Sequence, residues 1–405
     1  MINRSHYLNQ MLEGLKTPSV KILTGIRRGG KSGVLQLLRD VLTARGVQKQ
    51  NIITLGFEGL ENSAISDSSA LYDAVSQRLA SVQGRVYLFL DEPGRVRIWE
   101  RAALHLLHDF DIDIYVAGSN NSVTSPSVLA ILEECSSIYN IGPLSFSEYI
   151  EFRETYTQPE DTQREFARFI MLGGFPALHL RASTQDEAYA YLRDVVGSAI
   201  WNDVVGSHQL RKAEQLTRIM RFVIENVGQT FSAKHLSDSL KGENKEINIE
   251  TVYTYLERLE NAYIVSRCKR YDLSIEEPLK TQEKFYLSDH ALRFAILGFT
   301  PEAIGSSLEN LVYLELIRRD YDVYMGKHGR RTIDFVAMRG DERVYVQLGR
   351  EIIATQQDNA AFAALSSLRD NYPKYILCMD KGSAGNRNGI QTVTVTDFLT
   401  ENYLA

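Results

Sequence analysis

Gly25-Ile-Arg-Arg-Gly-Gly-Lys-Ser32 is the stretch that decides how this chain is read. It satisfies G-x-x-x-x-G-K-[ST] at every fixed position, the spacing of a loop that wraps phosphate groups. The glycines, Gly25, Gly29, Gly30 and Gly33, let the backbone curl until its N–H groups point inward at phosphate oxygens. A helix beginning near Lys31 adds the positive end of its dipole. Lys31 is expected to stay exposed until a nucleotide arrives and then to reach its β- and γ-phosphates. The Ser32 hydroxyl is expected to ligate Mg²⁺. The competing reading is a glycine-rich turn without a ligand, so the flanking sequence decides between them.

Working outward, Val20-Lys-Ile-Leu-Thr24 is a short apolar run that reads as a buried strand. Residues 33–43 show helical spacing through Val34, Leu35, Leu37, Leu38 and Leu42. Further strand candidates at 51–57, 85–90 and 112–117 alternate with helix candidates at 71–79 and 98–108. That alternation predicts an α/β fold, a parallel sheet with helical crossovers, over residues 1–150. A P-loop between a strand and a helix in such a sheet reads as a P-loop NTPase domain.

A second element supports this. Val86-Tyr-Leu-Phe-Leu-Asp-Glu92 is an apolar strand ending in two carboxylates. Successive side chains at a strand end point to opposite sides. Asp91 is therefore expected in the Mg²⁺ shell, and Glu92 against the water that attacks the γ-phosphate. The next strand ends in Gly118-Ser-Asn-Asn121, where Ser119 and Asn120 are candidate sensors of the γ-phosphate. Taken alone, such a Ser-Asn pair is an ordinary turn.

Composition sets the outer limits. A chain of 405 residues is too long for one core, so two to four domains are expected. Charged residues make up 24% and the net charge is −6, which argues against a chain coated in basic residues for nucleic acid but leaves room for a local basic face. Cys135, Cys268 and Cys378 are far apart and make neither a zinc motif nor a disulfide framework. A reducing cytoplasm fits them. The first ten residues lack the apolar stretch of a signal peptide, and the longest apolar runs are strand-length. No membrane association is expected.

Five segments in order carry a family resemblance: TGIRRGGKS at 24–32, YLFLDE at 87–92, a strand ending GSN at 118–120, PLSFSEY at 143–149 and GGFP at 173–176. The set resembles bacterial and archaeal AAA-type ATPases, the archaeal-ATPase branch of the AAA+ superfamily, over nearly the whole chain. The resemblance implies ATP and Mg²⁺ binding, with GGFP in a helical lid spanning 151–210. Residues 133–137 depart from the pattern. Relatives carry an Arg there, a candidate trans-acting finger, whereas this chain reads Glu133-Glu-Cys-Ser-Ser137. Pro93-Gly94-Arg95 likewise replaces the usual Gln after the Asp-Glu pair. An arginine finger is worth roughly 10³–10⁵ in rate. Arg27, Arg28 and Arg95 are the candidate substitutes, each with a plain surface-charge reading beside it.

The remaining chain reads as two further parts. In 211–295, Leu216, Ile219, Met220 and Val223 form one helical stripe, Ser232 caps a short helix, and Asn248 caps a third. Strand-like stretches at 263–267 and 284–287 follow, which completes a winged helix. Residues 211–270 hold 11 Lys+Arg and 8 Asp+Glu, a difference of +3. Thr251, Tyr253, Thr254 and Arg258 form the outer face of the third helix, open to DNA or to a protein. Residues 300–405 look like a restriction-endonuclease-like α/β domain. Glu309 and Asp334 match two acids of that pattern, and Gln347-Leu-Gly349 stands where an acid-x-Lys is needed, so nuclease activity is not expected.

The resulting expectation is an ATPase working as an ATP-driven conformational switch on nucleic acid or a protein partner, alone or as a homo-oligomer. The alternative is a non-hydrolysing ATP-sensing scaffold or DNA-binding regulator.

Overall fold

Four strands in the first 150 residues follow the expected apolar runs, and a fifth, Ser136–Asn140, forms where no such run stands. The computed structural model describes residues 4–13, 18–80, 82–119, 121–180, 183–200, 210–240, 247–349, 358–380, 382, 384–401 and 403–404. They divide into two compact units. The first holds Met1–Pro143 with the short segments Phe175–Ala177 and Asn261–Tyr263; the second holds the rest.

The first unit is built on five parallel strands: β1 (Val20–Thr24), β2 (Ile52–Gly56), β3 (Val86–Asp91), β4 (Ile112–Ala117) and β5 (Ser136–Asn140). Their order is β2-β3-β4-β1-β5. The helices are α1 (Ser5–Glu13), α2 (Lys31–Ala44), α3 (Ser68–Leu79), α4 (Trp99–Asp109) and α5 (Pro126–Leu132). Alternation along the strands sends side chains to two cores. On one face Val20, Ile22, Leu88, Leu90, Ile114 and Val116 pack with α3, α4 and α5 through Leu71, Val75, Trp99, Leu106 and Leu132. On the other, Leu23, Phe89, Tyr115 and Ala117 pack with Val34, Leu35 and Leu38 of α2 and with Tyr7, Leu8 and Met11 of α1. β1 lies between β4 and β5, with β3 beyond β4. The C-terminal ends of β1, β4 and β3 therefore share one edge of the sheet, the usual place for a ligand in parallel α/β sheets.

The second unit begins with α6 (Phe146–Tyr156), α7 (Thr162–Leu172) and α8 (Gln185–Ala199). Ser145 and Glu148 form a capping box at the start of α6, which explains the Ser-x-x-Glu within PLSFSEY. Next come α9 (Leu210–Glu225), α10 (Ala233–Leu240) and α11 (Ile249–Asn261), then the hairpin β6 (Val265–Asp272) and β7 (Glu277–Leu287). The expected caps are in place: Ser232 accepts from the His235 N–H at 3.1 Å and Asn248 from the Thr251 N–H at 2.8 Å. After α12 (Ala291–Leu297) and α13 (Ile304–Arg318) come β8 (Asp322–His328), β9 (Arg331–Arg339), β10 (Glu342–Leu348), α14 (Asp358–Ser366), β11 (Lys374–Cys378), β12 (Gly385–Arg387), β13 (Ile390–Thr394) and α15 (Val395–Thr400).

Among the described residues, the eight strands of this unit form one sheet, ordered β12-β13-β11-β10-β9-β8-β6-β7. β6 pairs in parallel with β8 from Arg270–Met325 to Asp272–Lys327, and Lys327 Nζ donates to the Asp272 carboxylate at 2.9 Å. The hairpin after α11 thus continues the C-terminal sheet. Among the described residues, no helix is long and apolar enough to cross a membrane.

Candidate functional site

Two glycines of the Gly25–Ser32 loop are required by its shape. Gly25 has φ +130°, and a Cβ there would lie 2.3 Å from the Ile141 carbonyl oxygen. Gly30 has φ +109° and caps α2 in the left-handed region. Gly29 closes a turn by donating to the Ile26 carbonyl at 3.1 Å. Gly33, already in α2, has open space around it, so its role in the pattern is not steric.

Lys31 is buried, at 6% exposure, which corrects the expectation of a freely exposed ammonium. Its Nζ donates to the Gly25 carbonyl at 2.9 Å and the Ile26 carbonyl at 3.0 Å. These two carbonyls compensate the buried cation's lost hydration.

Ser32, exposed at the start of α2, has its hydroxyl beside the Asp91 carboxyl at the end of β3, where it favours the charged form. The two side chains assigned to Mg²⁺ are therefore adjacent. Asp91 has its pKa raised by burial, an effect only partly offset by Ser32 and the Lys31 charge. Glu92 is also pushed up by burial, opposed by the Ser119 hydroxyl and by Lys31 and Arg27. Glu92 holds a left-handed backbone, φ 56°, and its N–H donates to the Ala117 carbonyl at 2.7 Å, which ties the end of β3 to the end of β4. A non-glycine residue in this conformation is strained, and such strain gathers at functional positions. Ser119 is 2% exposed, and among the described residues its hydroxyl has no partner of normal hydrogen-bond geometry; the same holds for Thr24 at the end of β1.

Carboxylates held short of water, a sequestered ammonium and the buried hydroxyls of Thr24 and Ser119 at one sheet edge form a donor set that fits a Mg²⁺–triphosphate. Asn120 lies outside the described residues. Of the three arginines considered above, Arg27 has its charge near Glu92 and lies 3.6 Å from Glu58, while Arg28 and Arg95 are exposed.

Sequence reasoning missed Arg4. It is 3% exposed and donates to the Gly29, Gly142 and Pro143 carbonyls. No motif marks it; the only local signal is the apolar spacing of Tyr7, Leu8 and Met11 just after it. Pro176 of GGFP also belongs to the site's surroundings, 3.6 Å from where a Gly30 Cβ would be. Within the second unit, the two glycines of GGFP are required by packing. A Cβ on Gly173 would meet the Asp289 carboxylate at 2.2 Å, and one on Gly174 the Leu144 carbonyl at 2.2 Å. The Gly174 N–H donates to Asp289 at 2.6 Å.

The outer face of α11 is mixed in character. Tyr253 and Thr254 are exposed, but so are Glu250 and Glu257 on the same side. The Thr254 hydroxyl turns back to the Glu250 carbonyl at 2.9 Å, and half-buried Arg258 lies 5.8 Å over the Tyr255 ring.

In the C-terminal sheet, Glu309 accepts from Lys284 Nζ at 2.6 Å and the Tyr286 hydroxyl at 2.7 Å. Asp334 accepts from Gln347 Nε2 at 2.8 Å and the Leu348 N–H at 2.9 Å. A lysine from β7, which no sequence pattern pointed to, thus neutralises one of the two acids. Among the described residues, no cluster of three or more His, Cys, Asp or Glu is placed to hold a metal ion.

Known proteins share parts of this architecture. Residues 17–150 match a family model described as an AAA domain, and residues 163–303 match a domain of unknown function (DUF8612). The chain is 30% identical over 403 residues to an uncharacterized protein of Haemophilus influenzae, covering 99% of both chains. It is 25% identical over 413 residues to an uncharacterized protein of Methanocaldococcus jannaschii, covering 97% of this chain and 88% of that one. A solved Walker-type ATPase of Pyrococcus abyssi shares the fold, with a TM-score of 0.50 and 15% identity over 73% of this chain and 96% of that one. Residues 17–150, with their phosphate loop, acid-tipped β3 and buried serine on β4, thus form an AAA-type P-loop domain, and the whole chain belongs to one family with its Haemophilus influenzae relative.

Proposed function

We propose that the chain binds ATP with Mg²⁺ and hydrolyses it, using the cycle as a conformational switch on nucleic acid or a protein partner. The observation that carries this is the convergence of Lys31, the Ser32–Asp91 pair and the Glu92–Ser119 pair at the C-terminal edge of one sheet. In this reading Gly25, Gly29, Gly30 and Gly33 shape the phosphate cradle, and Lys31 leaves its two loop carbonyls to pair with the β- and γ-phosphates. Ser32 and Asp91 hold Mg²⁺, which when bound neutralises phosphate charge. Glu92 accepts a proton from, or orients, the attacking water, and Ser119 with Asn120 senses the γ-phosphate. A raised Glu92 pKa suits a group that must take up a proton.

The remaining chain is read as a lid (151–210), a winged helix (211–295) and a nuclease-like domain without cleavage activity (300–405). The supports are the three helices and hairpin for the winged helix, and the Lys284–Glu309 and Gln347–Asp334 pairings for the last. With Cys135, Cys268 and Cys378 all free, a reducing cytoplasm suits the chain.

A second reading is a nucleotide-sensing scaffold that does not turn over, favoured by the lack of an arginine at 133–137. Steady-state phosphate release, measured with and without duplex DNA, tests both. Turnover that Glu92→Gln removes supports the switch; tight ATP binding with no turnover supports the sensor.

A further inference from the structure

We propose that Arg4 is a positioning residue of the phosphate site, fixing the Gly29–Gly30 peptide so that the Gly30 N–H faces the phosphate cradle. The inference rests on the ATP-binding reading above and adds to it a residue outside every motif.

The geometry begins with the peptide itself. Arg4 Nη1 donates to the Gly29 carbonyl at 3.3 Å. In a trans peptide the C=O and the following N–H point in opposite directions. A Gly29 carbonyl held toward Arg4 therefore sends the Gly30 N–H to the opposite side. Glycine stands on both sides of this peptide, and the φ of +109° at Gly30 is one that only glycine adopts freely. The freedom that lets the loop curl also lets this one peptide rotate at little cost, with its carbonyl turned inward toward phosphate. A fixed external donor removes that alternative.

Arg4 is built for this task. It is 3% exposed, and its guanidinium lies 4.8 Å over the ring of Tyr7, itself buried on α1. Its second nitrogen, Nη2, donates to the Gly142 carbonyl at 3.0 Å and the Pro143 carbonyl at 3.3 Å, just after β5. One planar fork thus spans two loops, each leaving or following a strand next to the site, β1 and β5. Lysine supplies a point charge and cannot reproduce the fork.

The test compares wild type with Arg4→Lys in the full chain, by calorimetry with Mg·ADP and with adenosine as probes. The expected result is about a tenfold or larger loss of Mg·ADP affinity, the size of one charge-assisted hydrogen bond. Adenosine affinity stays unchanged, and turnover shows a raised KM with kcat within about twofold. Equal ADP affinity in the two proteins, or an equal loss for ADP and adenosine, overturns the proposal. A wild type that binds no nucleotide would instead overturn the ATP reading on which it rests. A measurement that needs no variant uses glycine-selective ¹⁵N labelling of the wild type. The Gly30 amide resonance must move on adding Mg·ADP; a stationary Gly30 resonance in a protein that binds ADP refutes the assignment.

Discussion

Replacing Lys31 by alanine should have two separable effects, because the side chain has two sets of partners. Its ammonium is buried and donates to the Gly25 and Ile26 carbonyls at 2.9 and 3.0 Å. A hydrogen bond involving a charged group contributes about 1.5–3 kcal/mol. Relief of the buried charge's lost hydration offsets part of that, so a net loss of about 1–3 kcal/mol is expected. For a folding unit of this size each kcal/mol shifts Tm by about 2–4 °C, so Lys31→Ala should melt several degrees below wild type. On nucleotide binding the ammonium gains phosphate charge. One unit pair at about 4 Å in a partly screened site amounts to roughly 4 kcal/mol, near three orders of magnitude in Kd. Calorimetric titration with Mg·ATP gives the second number and scanning calorimetry the first. A folded Lys31→Ala protein with wild-type ATP affinity would remove the nucleotide-site assignment. Unchanged Tm would show that the loop does not depend on this cation.

Further substitutions probe the other parts. Glu92→Gln should keep Mg·ATP and lose turnover, and equal turnover would place the base elsewhere; Asp91→Asn should weaken binding only when Mg²⁺ is present. Both carboxyls have folded-state pKa values raised by burial, so the stability linked to their neutral forms is present below the unfolded pKa and lost as pH rises through the folded one. Glu92→Gln should therefore raise Tm at pH 7 and give no gain near pH 4, as paired melts would read. Gly174→Ala forces a Cβ to within 2.2 Å of the Leu144 carbonyl and should destabilise by about 1–3 kcal/mol or more, with an unchanged melting curve as the refuting result. If α11 contacts DNA, Arg258→Glu in the full chain should lower duplex affinity measured by anisotropy, with a steep salt dependence; no binding even at low salt favours a protein partner. Neither DNA nor RNA should be cut with Mg²⁺ or Mn²⁺, and cleavage that disappears in Asp334→Ala would make the chain an ATP-gated nuclease.

The shape of the Gly25–Ser32 loop was legible in the sequence because it is set locally. Eight consecutive residues carry the curl, the cation and the helix start, and apolar runs on either side declare a strand and an amphipathic helix. Asp91 and Glu92 were legible for the same reason, as acids ending an apolar strand. The caps Ser232 and Asn248 needed only the residue and the helix that follows it.

What pairing over long distance decides was not written in any one stretch. The order β2-β3-β4-β1-β5 brings Ser32 to Asp91 and Glu92 to Ser119. Lys31, expected in the open, turned inward because the loop offers two carbonyls that no motif announces. Asp113, buried on β4, finds Lys21 on neighbouring β1, an ion pair visible only once the strands are adjacent. Fusion of β6 to β8, the neutralisation of Glu309 by Lys284, and the reach of Arg4 to carbonyls at 29, 142 and 143 are likewise contacts between distant segments. Periodicity and motif spacing describe how a segment satisfies itself. Which distant donor completes a buried acceptor depends on where chain packing delivers it, and the tertiary structure alone decides that.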